Sequence, residues 1–179
     1  MNIWFKTDNQ DVDFQAVADI LDEAGLSHYD AQTEEIIFSR SYAVVYVYDG
    51  NRLIGCGRAL SDGICQAAIY NIALAGEYQG HQLGRAIIEK LLEQVEGCTT
   101  ILYTHPKTVA FYERLGFRRE KTGFVHYPQT ISGEKLAWFE DTGFLLPKNY
   151  RYSIDESELY DSRGQPKEGA AARCRNPQT

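Results

Sequence analysis

The sequence has little cysteine and no arrangement that would pair or ligate it. The four cysteines among 179 residues are Cys56, Cys65, Cys98 and Cys174. They form no Cys-x-x-Cys pair and have no histidine companions at metal-ligand spacing. Neither a metal site nor a disulfide framework is expected, and the thiols are predicted to be reduced and mostly structural.

Long apolar runs are also absent. No stretch approaches the roughly 20 apolar residues that a membrane-spanning helix needs. Residues 1–8 lack the basic and apolar parts of a secretory signal. These absences predict a cytosolic protein without a membrane partner, and the length suits one domain with a sizeable core.

Basic residues are scarce in the first 50 positions, where two stand against ten acidic ones, a net charge of −8. Residues 51–127 carry nine basic and seven acidic residues, a net charge of +2. The total of −7 argues against a nucleic-acid partner, because phosphate contacts dominate such binding. The uneven distribution suits an anionic cofactor at one end of a groove and a cationic partner at the other, although a solvated acidic helix face is an equal alternative.

Apolar periodicity in the first 60 residues predicts strands and helices around a hairpin. A strand over 2–6 precedes one helix that runs from Phe14 to Gly25 and a second over 30–39. Two runs rich in β-branched and aromatic residues, 42–48 and 52–60, flank a glycine turn and predict an antiparallel hairpin.

The following segment predicts a parallel strand-helix-strand unit. A strand over 67–74 is apolar enough to be buried on both faces, and a helix over 83–96 leads to a second buried strand over 99–104. A helix is then expected to start at Pro106 and end at Gly116. Two short closing strands are predicted at 117–120 and 124–127.

The turn before the helix at 83–96 is the most informative part of the chain. It reads Gln79-Gly80-His81-Gln82-Leu83-Gly84-Arg85-Ala86. A helix start leaves backbone N–H groups without intrahelical partners and adds the positive end of the helix dipole, which together make a phosphate site. Because the turn follows a strand, at the edge where open α/β sheets bind ligands, residues 79–86 are predicted to bind a phosphorylated cofactor.

Two motifs resemble those of the GNAT superfamily of acyl-CoA-dependent N-acyltransferases. Residues 79–84 match its pyrophosphate signature, Q/R-x-x-G-x-G/A, with Gln82 where the signature prefers glycine. A side chain there is expected to be tolerated as an early helical position. Residues 111–117, Phe-Tyr-Glu-Arg-Leu-Gly-Phe, match the second hallmark, F-Y-x-x-x-G-F. The two motifs together are specific, and residues 57–74 look like the branch of serotonin N-acetyltransferase-like and uncharacterised bacterial enzymes.

The resemblance implies a GNAT fold of the α/β (α+β) class over residues 1–127. That fold is a mixed, mostly antiparallel sheet with a splayed central pair of parallel strands, flanked by helices. Residues 128–160 are then an extension that packs on this domain or forms a homodimer contact. Residues 161–179, rich in Gly, Pro, Ala and charge, are predicted to be a flexible tail.

The resemblance also implies acetyl-CoA as co-substrate and the residues that bind it. Backbone groups of Ile72, Ala73 and Leu74 are expected to pair with the pantetheine arm. Lys107, where many relatives have asparagine, and Phe111 are further contacts. The pyrophosphate is expected to contact Gln79, Gly80, His81, Gln82, Leu83, Gly84, Arg85 and Ala86. For the side chain of Arg85, an ion pair with Glu89 is an equally good interpretation.

The implied reaction is direct attack of an amine on the thioester of acetyl-CoA. Presenting an amine of reference pKa near 10.4 as neutral at pH 7 costs roughly 4 to 5 kcal/mol, and the leaving thiolate needs a proton or a hydrogen bond. The resemblance assigns the second task to Tyr112, with core packing as the alternative. No single base stands out, and ordered water is a further route for the proton. The candidates near the strand ends are Tyr70, Glu77, His105 and Asp62.

These observations predict an N-acetyltransferase that transfers the acetyl group of acetyl-CoA to a primary amine. The acidic N-terminal quarter favours a small cationic amine as the acceptor, and a peptide or protein amine is an alternative acceptor. Two other functions are compatible with the motifs: a non-catalytic CoA-binding sensor or interaction module with the same fold, and an unrelated phosphate-binding α/β protein.

Overall fold

The structure is a computed structural model that describes residues 1–119 and 123, of which Met1–Phe117 form one compact unit. Predictions for residues 124–127, 128–160 and 161–179 lie outside the described residues. The strands are β1 (Ile3–Lys6), β2 (Ala43–Asp49), β3 (Arg52–Ser61), β4 (Gln66–Leu74) and β5 (Thr99–Ile101). The α-helices are α1 (Phe14–Glu23), α2 (Ala31–Ser39), α3 (Leu83–Gln94) and α4 (Val109–Arg114).

The five described strands form one sheet in the order β1-β2-β3-β4-β5. The first four are antiparallel, including the predicted β2–β3 hairpin, and β4 and β5 are parallel. This mixed, mostly antiparallel sheet with flanking helices confirms the predicted fold class.

Helices cover both faces of the sheet because β2 is apolar at nearly every position. Val45 and Val47 pack with Ile87 and Leu91 of α3 on one face. On the opposite face, the ring of Tyr46 packs with residues of α1 and α2. Asp13 and Asp30 accept hydrogen bonds from backbone N–H groups at the starts of these two helices, so each has a capped N-terminus.

Several element boundaries differ from those predicted. The helix α3 ends at Gln94, two residues early, and Pro106 begins a 3₁₀ turn, Pro106–Thr108, before the short α4. The left-handed residue after α4 is Gly116, as predicted, with a φ of +91°. Residues 117–119 form no strand.

The two parallel strands are less buried than their composition predicted. Burial in β4 alternates between buried and partly exposed positions, so the prediction of burial on both faces is wrong. The strand β5 spans three residues, not six, and the side chains of Thr99 and Ile101 are exposed. No other described strand pairs with the outer edge of β5. Its side chains are exposed because an apolar strand is buried only where another element packs against it.

The parallel pair separates after three residue pairs, as the GNAT resemblance implied. Gln66 pairs with Thr99, and the last pair joins Ala68 and Ile101. Residues 69–74 of β4 therefore have no strand partner on this side within the described part of the chain. Their backbone N–H and C=O groups line an open edge.

A β-bulge in β4 lies beside this separation. Cys56 pairs with Ala73 and Arg58 pairs with Tyr70, so two residues of β4 face one residue of β3 between those pairs. One of the two is Asn71, whose φ is +54°. The bulge reverses which face of the sheet each later side chain of β4 occupies.

Candidate functional site

The start of α3 presents backbone donors without partners. No side chain caps this helix. The first hydrogen bond into it runs from Ala86 N to the carbonyl of Gln82 at 3.1 Å. The N–H groups of Leu83, Gly84 and Arg85 have no acceptor within the described residues. Together with the positive end of the α3 dipole, these groups make the turn that the sequence predicted suitable for an anion.

Gln82 lies outside the helix, not at an early helical position as expected. It is the N-cap of α3 and has the left-handed conformation, with φ of +62° and ψ of 6°. This conformation costs a residue with a side chain roughly 1 to 2 kcal/mol but suits glycine. The preference of the signature for glycine here thus has a backbone cause, and the prediction that Gln82 substitutes simply as a helical residue is wrong.

Side chains of the turn hold its shape. The amide of Gln79 donates to the carbonyl of Leu74 at 3.3 Å, which ties the turn to the end of β4. The Nδ1 atom of His81 donates to the carbonyl of Gln79 at 3.0 Å. Gly80 between them has a φ of +81°. The side chains of Gln79 and His81 are thus used within the turn, so its backbone is left to contact a ligand.

Three residues predicted to contact the cofactor lie side by side. A Cβ atom at Gly84 would lie 3.6 Å from Cζ of Phe111 and 3.8 Å from Cδ1 of Leu74. The first turn of α3, the end of β4 and the start of the F-Y motif therefore meet at one place. The structure thus brings the two sequence motifs together.

The contacts of Arg85 and Lys107 in the structure are with other residues of the protein. Arg85 donates from Nε to Oε1 of Glu89 at 2.7 Å, the exposed i,i+4 ion pair that was the alternative to a phosphate contact. The backbone N–H of Lys107 donates to Nδ1 of His105 at 3.1 Å within the 3₁₀ turn. Neither arrangement tests a cofactor contact, and both residues stay predicted cofactor positions.

Tyr112 lies on α4 with its ring packed against neighbouring aromatic rings. Its ring makes edge contacts with Phe111 and Phe117, at centroid distances of 5.0 and 5.8 Å. Burial raises the pKa of Tyr112, and a hydrogen bond with Thr104 opposes this in part. Because the pKa of the hydroxyl is raised from its ordinary value, the hydroxyl is protonated at neutral pH.

Of the four residues considered as a base, three have partners for the group that would accept a proton, and the fourth has ring contacts. Asp62 accepts three backbone hydrogen bonds, from residues 64, 65 and 66, which hold the pKa of its carboxyl far below its usual range. Glu77 forms an ion pair with Arg52 at 2.8 Å. The Nδ1 atom of His105 accepts from the backbone, as a histidine at a helix start does. The ring of Tyr70 lies under a guanidinium, 5.1 Å from its carbon.

Two charged residues near the bulge were missed by the sequence analysis. Arg58 is partly buried on β3, and its Nε donates to Oδ1 of Asn71 at 2.7 Å. Glu34 of α2 is fully buried; its Oε1 accepts from the hydroxyl of Ser27, and its Oε2 has no hydrogen-bond partner among the described residues. The sequence contained a signal for both residues, namely a charged residue on an otherwise apolar face. Arg58 follows Cys56 by two residues in an apolar strand, and Glu34 precedes the buried Phe38 by one helical turn.

The described residues contain no helix that is long and apolar enough to cross a membrane. The three cysteines among them, Cys56, Cys65 and Cys98, are free thiols. Burial raises the pKa of the Cys56 thiol well above its usual range, so that thiol is protonated and structural.

An uncapped helix start beside an open strand edge is suited to a ligand with phosphate groups. Comparisons with known proteins identify the class of fold. Residues 40–119 match the family model of the acetyltransferase (GNAT) domain. The matched segment is an acetyltransferase (GNAT) domain, and the relatives and solved structures support an acetyl-transfer enzyme.

Individual relatives agree with this assignment. The uncharacterized N-acetyltransferase ycf52 of Pyropia yezoensis is 26% identical over 126 residues, which are 66% of this chain and 72% of the relative. Serotonin N-acetyltransferase 2, chloroplastic, of Oryza sativa subsp. japonica is 35% identical over 69 residues, 37% of this chain and 34% of the rice protein. Among solved structures, SA2161 of Staphylococcus aureus, a probable acetyltransferase, has a TM-score of 0.59 and 25% identity, covering 70% of this chain and 100% of that one.

Proposed function

We propose that this enzyme transfers the acetyl group of acetyl-CoA to a primary amine, in particular a small cationic one, by direct attack. The observation that carries the proposal is a convergence around the separated strands. The edge of β4 has no strand partner beyond Ala68 among the described residues, and at the end of β4 the start of α3 meets Phe111, the residue before Tyr112.

The described groups match the chemistry of acetyl-CoA. The backbone donors of Leu83, Gly84 and Arg85 suit its pyrophosphate. The open edge at residues 72–74 suits the amides of its pantetheine arm, which can pair with a strand as a peptide does. The partly buried ring of Phe111, which lies beside Gly84, adds an apolar wall.

The reaction needs one group that helps the thiolate to leave. The amine nitrogen attacks the thioester carbonyl, the carbon–sulfur bond breaks, and the sulfur takes a proton or a hydrogen bond from Tyr112. Burial raises the pKa of that hydroxyl, which keeps it protonated for this role. The proton lost by the amine is proposed to leave through ordered water, since the accepting groups of Asp62, Glu77 and His105 already have partners.

The acidic surface around α1 supports a cationic acceptor. An open cavity of about 370 Å³ has carboxylates from both ends of this helix in its wall. The side chains that supply them are those of Asp11, Asp13, Asp19 and Glu23. The name of the rice relative points in the same direction, because serotonin carries a primary amine.

The proposal is tested by a panel of primary amines with acetyl-CoA, with release of free CoA as the readout. We expect release with at least one small cationic amine and a raised melting temperature with acetyl-CoA alone. A raised melting temperature without release from any amine would favour the non-catalytic CoA-binding module. We also propose a cytosolic location, which fractionation of the native cells would test.

A further inference from the structure

Arg58 lies at the mouth of the separated strands, on the face opposite α3. It follows Cys56 by two residues on β3, and the side chain of Cys56 packs on the α1 and α2 side. Its partner on β4 is Tyr70, two residues beyond the last position that pairs with β5. An acceptor amine that approaches a thioester from the side away from α3 would therefore meet Arg58.

Neutral groups hold the guanidinium in place. Its Nε donates to Asn71 at 2.7 Å, and its Nη1 donates to the hydroxyl of Ser41 at 3.4 Å. The Tyr70 ring lies under it, and the ring of Tyr103 makes an edge contact with Tyr70 at a centroid distance of 5.8 Å. Nη2 has no hydrogen-bond partner among the described residues.

This cation lacks a contacting anion. No carboxylate of the described residues lies within 4.0 Å of the Arg58 nitrogens. Burial lowers the pKa of Arg58, and the charge of the buried Glu34, beyond ion-pair distance, opposes that effect. A partly buried guanidinium normally binds a carboxylate through its planar fork, because an unpaired charge away from water is costly. The free Nη2 edge is thus suited to an external carboxylate.

The geometry points to Arg58 as the residue that recognises a carboxylate on the acceptor, so that the preferred substrate is a primary amine bearing a carboxylate, such as an amino acid. This inference rests on the proposed N-acetyltransferase function and narrows its substrate class. A basic amino acid such as lysine also has the net positive charge that the acidic cavity favours.

The test compares acceptors that differ only in the carboxylate: lysine with cadaverine, and phenylalanine with phenethylamine. The wild type should show the higher kcat/KM with the carboxylate-bearing member of each pair that reacts. Arg58→Gln should lower this preference about 10- to 100-fold, the range expected for hydrogen bonds to a charged group. Asn71→Asp should also lower it, because the new carboxylate keeps the hydrogen bond and neutralises Arg58.

A matched control is Arg40→Gln, which removes an exposed arginine on the same side of the sheet. It should leave the preference unchanged. If Arg58→Gln does not fold, as judged by its melting temperature, Asn71→Asp decides the question.

Each other outcome overturns the inference. Equal kcat/KM within each pair in the wild type would refute it and leave the N-acetyltransferase proposal intact. An equal loss for both members in Arg58→Gln would show that Arg58 only supports the bulge. No CoA release with any acceptor would overturn the proposed function, and the inference with it.

Discussion

A Cβ atom on Gly57 would lie 2.6 Å from both Cδ1 of Ile72 and Cγ2 of Ile87, closer than carbon atoms approach. Gly57 stands opposite the two bulge residues of β4, Asn71 and Ile72, so the bulge, the strand and α3 meet where a side chain has no room. The bulge therefore depends on glycine in the neighbouring strand.

We expect Gly57→Ala to lower the free energy of unfolding by about 1 to 3 kcal/mol, the usual cost of overpacking. The matched control is Gly84→Ala, whose added atom would lie at ordinary contact distances. Since Gly84 is in a helix, Gly84→Ala should leave the free energy of unfolding unchanged or raise it by up to about 1 kcal/mol. Urea unfolding of both variants measures the two free energies. Equal stabilities would contradict the prediction, because the side chains of Ile72 and Ile87 would then move aside at no cost.

The left-handed conformation of Gln82 predicts opposite effects for two substitutions. Gln82→Gly should leave the free energy of unfolding unchanged or raise it by up to about 1 kcal/mol, because glycine adopts positive φ without the steric penalty. Gln82→Val should lower it by about 1 to 2 kcal/mol, since a β-branched residue is poorly suited there.

Glu93→Gly, at an exposed position within α3, provides the contrast. It should cost about 1 kcal/mol, the usual penalty for glycine inside a helix. If Gln82→Gly destabilised the protein as much as Glu93→Gly in urea unfolding, the assigned N-cap conformation would be refuted.

Removal of the Tyr112 hydroxyl should slow the chemical step. We expect Tyr112→Phe to lower kcat by about 10²- to 10⁴-fold, the range for general acid catalysis, with an unchanged melting temperature because the ring contacts remain. Since the pKa of the hydroxyl is raised, the wild-type kcat should show no loss from Tyr112 below about pH 10.

The control for this variant is Tyr29→Phe, which removes the hydroxyl of an exposed tyrosine. It should not change kcat. Full turnover by Tyr112→Phe would leave the ring with a packing role only.

Asp62 should make stability depend on pH in the acidic range. Three backbone hydrogen bonds lower its pKa in the folded state below the ordinary value of 3.8. A group with a lowered folded pKa stabilises the fold above its unfolded pKa, and this contribution is lost as pH falls below that value toward the folded pKa. We expect Asp62→Asn to be less sensitive to acid below about pH 4 than the wild type.

Urea midpoints between pH 7 and pH 2 measure this difference. Glu96→Gln removes an exposed carboxylate outside such a turn and should keep the pH dependence of the wild type. Identical pH profiles for Asp62→Asn and the wild type would contradict the assigned hydrogen bonds.

The helices and the hairpin could be predicted from the sequence because their signals are local. Asp13 and Asp30 cap α1 and α2 at the expected starts, and a glycine turn joins β2 and β3. The anion-binding turn was predicted for the same reason, since a strand, a glycine turn and an amphipathic helix lie next to one another in the chain. Its residues stay predicted, and not demonstrated, cofactor contacts.

Other features depend on residues that are distant in the chain. The bulge at Asn71 arises from the register of β4 against β3, and no local pattern marks it. The short, exposed β5 reflects the neighbours available to it, which apolarity alone does not report. The conformation of Gln82 was misjudged because a left-handed N-cap and a first helical residue differ by one position.

The sequence by itself determined the family and the position of the anion-binding turn, because both follow from short motifs and from the geometry of a helix start. Only the tertiary structure decided that the parallel strands part after three pairs, that Phe111 meets Gly84, and that no carboxylate of the described residues contacts Arg58 at that opening. The physical reason is that strand register and the pairing of charges are set by contacts between residues far apart in the chain.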